Sequence, residues 1–189
     1  MRRFPLFAEC LTAGVLVVLT ALPLVTLLPA LAAGCAHIRA HVDGETTAVR
    51  AYFTRVRAAA RGGAGASIGV VAAFAVLAAD LVVLRRTGLQ GGGAVGAVCT
   101  AAAVGLAVVV LRAAATWSPG GRWSALVRGS ARRAVADPTG SLLLGMALGV
   151  LAVVTWQLPP LVVPMLGCVL MAAVAVERRH ARLRDPDQL

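Results

Sequence analysis

The residues best suited to chemistry gather in one short segment. Cys35, His37 and His41 fall within seven positions, and the two histidines, four apart, share a face if the segment is helical. Two imidazoles on one face can hold zinc or haem, but each needs further ligands. His180 is the third and last histidine of the chain. The alternative is a pair of interface-seeking histidines beside Arg39, and on that reading the chain has no metal and no cofactor. The four cysteines, Cys10, Cys35, Cys99 and Cys168, form no CxxC pair. Each lies in or beside an apolar stretch, where a thiol acts as a small hydrophobe.

Two carboxylates, Glu9 and Asp80, lie inside apolar stretches, where an ionisable group is costly and a candidate for function. Glu9 stands about one turn into the first stretch and Asp80 about one turn from the end of the second, as helical spacing places them. Near an interface the cost is small. Arg2 or Arg3 is the expected partner of Glu9, and Arg85 or Arg86 of Asp80, their stems reaching toward the headgroups. No carboxylate falls at mid-stretch, which argues against a proton relay. Asp137-Pro138 reads as a helix cap followed by proline in the first turn. Gly91-Gly92-Gly93 lacks the residues of a phosphate loop, and no serine has a GxSxG context. With no standard catalytic constellation, the chain is read as a non-enzyme.

These residues must be positioned by apolar elements. Of 189 residues 59% are hydrophobic and 14% charged, against roughly half and about a quarter in soluble domains. This composition excludes disorder and an ordinary soluble enzyme, and indicates an all-α, polytopic membrane bundle in one domain. Five apolar stretches run over about 7–28, 67–84, 94–111, 141–158 and 161–176. A bilayer core needs roughly 17–25 helical residues, so the first four qualify and the fifth is short. Pro159 and Pro160 break the helix between the last two.

The net charge of +10 comes entirely from arginine, since all 18 basic residues are Arg. They flank the apolar stretches instead of clustering, so the expected partner is a bilayer with anionic headgroups, not nucleic acid. Arg2, Arg3, the apolar run and Leu31-Ala-Ala-Gly-Cys35 imitate a lipoprotein signal. The run is too long, however, and carries Glu9, Pro23 and Pro29, so it is read as a retained span. Counting arginines beside the five spans puts 14 on one side and four on the other when the N-terminus is outside and the C-terminus cytoplasmic. Arg2 and Arg3 dissent.

Two loop segments are amphipathic. In Glu45–Arg61, Val49, Tyr52, Phe53, Val56 and Ala60 make an apolar stripe opposite Arg50, Arg57 and Arg61. In Arg122–Ala136, Trp123, Leu126, Val127, Ala131 and Val135 lie opposite Arg128 and Arg132. Both are expected as interfacial helices, with Arg57, Arg61, Arg128 and Arg132 facing lipid or a partner. Their shared Tyr/Trp-x-x-x-Val-Arg-x-x-Ala-Arg pattern reads either as a faint duplication or as chance. Pro23 and Pro29 each remove a backbone donor, and Thr26 between them can bond the backbone. A break near Thr26 is expected, followed by a second helix from about Ala30 to His41.

The stretch Leu22-Pro-Leu-Val-Thr-Leu-Leu-Pro-Ala-Leu-Ala-Ala33, then His37-Ile-Arg39 and the helix bearing Tyr52-Phe53, resembles the YesL family of small bacterial integral membrane proteins, a domain of unknown function. Pro23, Thr26, Pro29, Ala30 and Ala33 match that family's turn and small-residue helix. Trp156 to Pro160 fits its late hairpin. The resemblance implies a bacterial inner-membrane protein whose genes lie among those of carbohydrate uptake. It carries no catalytic residue. The expectation is a non-catalytic accessory protein associated with sugar ABC transporter subunits. The alternative is a small transporter or channel-like protein acting as a homo-oligomer through its small-residue helix faces.

Overall fold

A computed structural model describes residues 3–45, 48–87 and 92–184 of the chain. Among these residues seven α-helices follow one another: α1 Arg3–Ala21, α2 Leu27–Val42, α3 Val49–Thr87, α4 Gly92–Ala115, α5 Trp123–Ala136, α6 Pro138–Gln157 and α7 Val162–Arg184. Among the described residues there is no strand, and the protein is an all-α helical bundle. Four helical stretches are long and apolar enough to cross a membrane: Val49–Thr87, Gly92–Ala115, Pro138–Gln157 and Pro159–Leu183. These make it a multi-pass membrane protein.

The first apolar stretch is not one span. Its helix stops at Ala21, seven residues before the stretch ends. Leu24 takes a left-handed φ of 44° in the turn, and the Thr26 hydroxyl donates to the Thr20 carbonyl. The chain re-enters helix at Leu27, with Pro29 in the first turn, where a missing N–H costs nothing. The freed amide of Leu28 donates instead to Ser67 Oγ of α3, at 3.1 Å. α1 and α2 therefore form a hairpin, and α2 is the centre of the fold. Eleven of its 16 residues are buried, because alanine, glycine and cysteine let neighbours approach from every side.

The fifth stretch is not short. α7 continues past the apolar residues to Arg184, and a single 3₁₀ turn, Pro159–Leu161, joins it to α6. Nor is the first amphipathic segment a separate interfacial helix. Its helical part is the first third of α3, whose 39 residues extend about 58 Å at 1.5 Å each. Only glycines and alanines separate Arg61 from the apolar part, and Gly63 among them is needed. A side chain at Gly63 would lie 2.9 Å from Trp123 Nε1, and that indole donates to the Ala59 carbonyl at 3.1 Å. Packing outweighs a glycine penalty of about 1 kcal/mol. The second amphipathic segment, α5, is a distinct helix, parted from α6 by Asp137. The two lookalike segments are thus built into different units.

Packing also settles the relative direction of the helices. Methyl groups added to Gly14 and Gly167 would overlap the carbonyl oxygens of Val163 and Cys10 respectively, so α1 and α7 cross backbone to backbone and run antiparallel. Gly34 of α2 meets Leu170, and Arg178 bonds the Arg39 carbonyl and Asp43, so α2 and α7 run parallel. The start of α1 therefore lies at the same end of the bundle as the end of α7. That corrects the arrangement expected from five spans, which puts the two ends on opposite sides. A hairpin that returns to its origin, followed by four spans, leaves both ends together.

Candidate functional site

The end of the bundle where α2, α4 and α7 finish holds its densest polar chemistry. Arg112, in the last turn of α4, is completely buried. Its Nη2 donates to Asp137 Oδ2 at 2.7 Å, and its Nε lies 3.6 Å from Glu177 Oε1. Glu177 also meets Arg133 Nε of α5 at 3.6 Å, and His180 Nδ1 lies 3.8 Å from Asp137 Oδ2. Arg133 Nη2 donates to Thr116 and Ser130. Four elements thus contribute to one network, and each contribution has a local cause. Asp137 is fixed as the cap of α6, accepting from the Gly140 amide at 3.0 Å. Gly140 is required beside it, since a methyl there would overlap both Asp137 and Arg112. The Gly140 amide and the Arg112 guanidinium hold the Asp137 carboxyl below its ordinary value of 3.8, against the opposing pull of burial.

The network borders an open pocket of about 430 Å³ lined by Arg39, Thr116, Arg133, Glu177, Arg178 and His180, among others. Arg39 donates to the Trp117 carbonyl at 2.6 Å, and Arg178 clasps both oxygens of Asp43 at 2.7 and 2.8 Å. Trp117 and Trp123 stack beneath this end, with ring centroids 6.5 Å apart.

The histidine pair singled out from sequence is brought to Glu9 of α1. His37, almost wholly buried, lies 3.1 Å from Glu9 Oε2, and His41 lies 3.6 Å from Oε1. The hairpin makes this meeting, because an antiparallel α1 sets Glu9 beside the end of α2. Arg2 and the side chain of Arg3, the partners expected for Glu9, lie outside the described residues. Cys35 is buried on α2, and Cys10 on α1 is buried as well, whereas Cys168 is exposed. Among the described residues no group of three or more histidines, cysteines and carboxylates is arranged to hold a metal. Asp80, Arg85 and Arg86 are all exposed on the far half of α3.

Arg57, Arg61, Arg128 and Arg132 are exposed and do not meet in one site. Their stripes divide. Tyr52 and Trp123 turn into the core, the Tyr52 hydroxyl pairing with Thr20 Oγ1 at 2.7 Å. Phe53 and Val135 face outward. Sequence reasoning missed the Arg112–Asp137–Glu177–Arg133–His180 network, whose members are scattered over 69 positions. One signal was present: Glu177 and His180 are three apart on a helix, and so are Ser130 and Arg133.

A second feature lies along two of the spanning helices. An apolar groove of about 1230 Å³ runs between α4, the end of α5 and α6, bordered by small residues including Gly96, Ala97, Ala101, Gly105 and Gly145. The outer face of α6 beside it is exposed at Leu142 and Met146.

Comparison with known proteins finds no match to this chain among family models, curated proteins or solved structures.

Proposed function

We propose that the protein is a non-catalytic accessory protein of a bacterial cell membrane that works by packing against another membrane protein. The α4–α6 groove carries this reading. Two of its walls, α4 and α6, are spanning helices and the third is the end of α5, so an occupant lying along α4 and α6 must satisfy its own backbone and be apolar outside. Small residues along the wall admit a helix closely, where dispersion and not hydrophobicity drives association. The occupant is a transmembrane helix of a larger partner. The resemblance of the Leu22–Ala33 turn to the YesL family directs attention to the permease subunit of a carbohydrate ABC transporter.

The charge pattern supports an orientation with both termini in the cytoplasm. Arg85 and Arg86 stand at the α3–α4 end, and the remaining described arginines lie in or beside the opposite half of the bundle. Cytoplasmic placement of that arginine-rich half obeys the positive-inside rule. It also removes the dissent of Arg2 and Arg3. The exposed Arg57, Arg61, Arg128 and Arg132 then face the anionic headgroups of the inner leaflet.

The test is affinity purification of the full chain in mild detergent from cells using a sugar ABC transporter. A permease subunit should travel with the wild type. Ala101→Leu with Gly105→Leu, which fills the groove, should cut its recovery at least tenfold at equal expression of the bait. Copies of the chain alone, with no transporter subunit, would favour the oligomeric alternative and overturn the accessory role.

A further inference from the structure

We infer that the pocket at the arginine-rich end, between α2, α4, α5 and α7, binds a phosphate group. Four arginines converge there: Arg39, Arg133 and Arg178 on the wall and Arg112 buried behind it. Three carboxylates oppose them, and each is already engaged. Asp43 is clasped by Arg178, Asp137 is held by Arg112 and the Gly140 amide, and Glu177 sits between Arg112 and Arg133. The balance leaves one positive charge in excess, and a second when His180 is protonated.

Donors are left over as well as charge. Arg112 Nη1 and His180 Nε2 are buried without a hydrogen-bond partner, whereas Arg112 Nε and Arg133 Nε, also without one, face Glu177 at 3.6 Å, whose Oε1 is orphaned as well. Buried donors are almost always satisfied, and leaving one unmade costs about 1–3 kcal/mol. Arg133 and His180 line the pocket itself, so an acceptor seated there lies against both side chains. A phosphate supplies several acceptor oxygens with the negative charge the excess calls for, and guanidinium forks match its geometry. The volume of about 430 Å³ lies within the roughly 300–1,000 Å³ typical of small-ligand sites. Glu177, on the same wall, is opposed by Arg112 and Arg133, each 3.6 Å away. The phosphate comes either from an anionic lipid headgroup or from a soluble phosphate compound, since the pocket lies where spanning helices end.

The proposal is tested on the purified full-length protein in two arms at 150 mM chloride. One measures equilibrium binding of radiolabelled inorganic phosphate in detergent. The other counts phosphatidylglycerol retained, by native mass spectrometry, after release from phosphatidylglycerol or phosphatidylcholine nanodiscs. Saturable phosphate binding identifies a soluble source, and selective retention of phosphatidylglycerol without phosphate binding identifies the headgroup. In either arm Arg133→Gln and Arg178→Gln should weaken binding at least tenfold. Arg85→Gln and Arg86→Gln, which remove exposed charges at the opposite end of the bundle, should change it less than twofold. If Arg178→Gln does not fold, Arg178→Lys should fold and bind with an intermediate loss. The inference is overturned if the wild type holds neither probe, or if the exposed-arginine variants lose binding as much as the pocket variants.

Discussion

At the scale of single residues, the stability of the polar end turns on Arg112. Its guanidinium is fully buried and faces Asp137 and Glu177. Removing one member of a buried ion pair strands the others and costs about 3–5 kcal/mol, far more than an exposed pair is worth. Arg112→Met should therefore lower the thermal midpoint sharply in detergent. The triple change Arg112→Met, Asp137→Asn, Glu177→Gln should recover most of the loss, because Arg133, the one arginine then without its carboxylate, is only partly buried and keeps its bonds to Thr116 and Ser130. A triple variant less stable than the single one would remove the charge-stranding explanation. Asp137 also sets a pH dependence. Its carboxyl titrates below the ordinary 3.8, so it contributes stability that is fully present above that value. The contribution fades as pH falls through the lowered folded value. Wild type should exceed Asp137→Asn at pH 7, and the gap should narrow in acid below about pH 4. A gap that widens in acid would show that Asp137 does not act as the ionised partner.

At the scale of elements, the α1–α7 crossing is the contact with least tolerance. Gly14 and Gly167 bring two backbones together with no room for a methyl group. Overpacking of this kind costs about 1–3 kcal/mol or separates the helices. Gly14→Ala and Gly167→Ala should each destabilise the protein, whereas Gly69→Ala on α3, where a methyl meets nothing within 4 Å, should be neutral or stabilising by a few tenths of a kcal/mol. Denaturant titration of the three variants by far-UV circular dichroism checks the order. Equal midpoints for all three would mean that α1 is not docked on α7 as described.

At the scale of the whole molecule, the hairpin decides topology. A peptide tag placed before Met1 and a cysteine at Arg128 should both be reached by impermeant reagents only after cells are permeabilised. A cysteine at Gln157, in a variant lacking the native cysteines, should react in intact cells, because Gln157 ends α6 at the opposite end of the bundle. A tag accessible in intact cells, with Arg128→Cys still protected, would restore a first span that crosses completely and would break the hairpin arrangement.

Much of this architecture is legible one segment at a time. Apolar length marks the four spanning stretches, Pro159-Pro160 marks the tight turn before α7, and Asp137-Pro138 marks the start of α6. Prolines and runs of hydrophobicity act locally, so sequence by itself determines them. It does not determine whether Glu45–Arg61 is its own helix, because a change of hydropathy at Ser67 looks the same whether the helix ends or continues. It does not show that α1 and α2 fold back together, since the break near Thr26 allows several exit angles and only the packing of Gly14, Gly34 and Gly167 selects one. Nor does it gather Arg112, Arg133, Asp137, Glu177 and His180. Each reads alone as a boundary charge or a cap. Only the tertiary structure brings them within ion-pairing distance, because the ends of α4, α5 and α7 are made neighbours by contacts far along the chain.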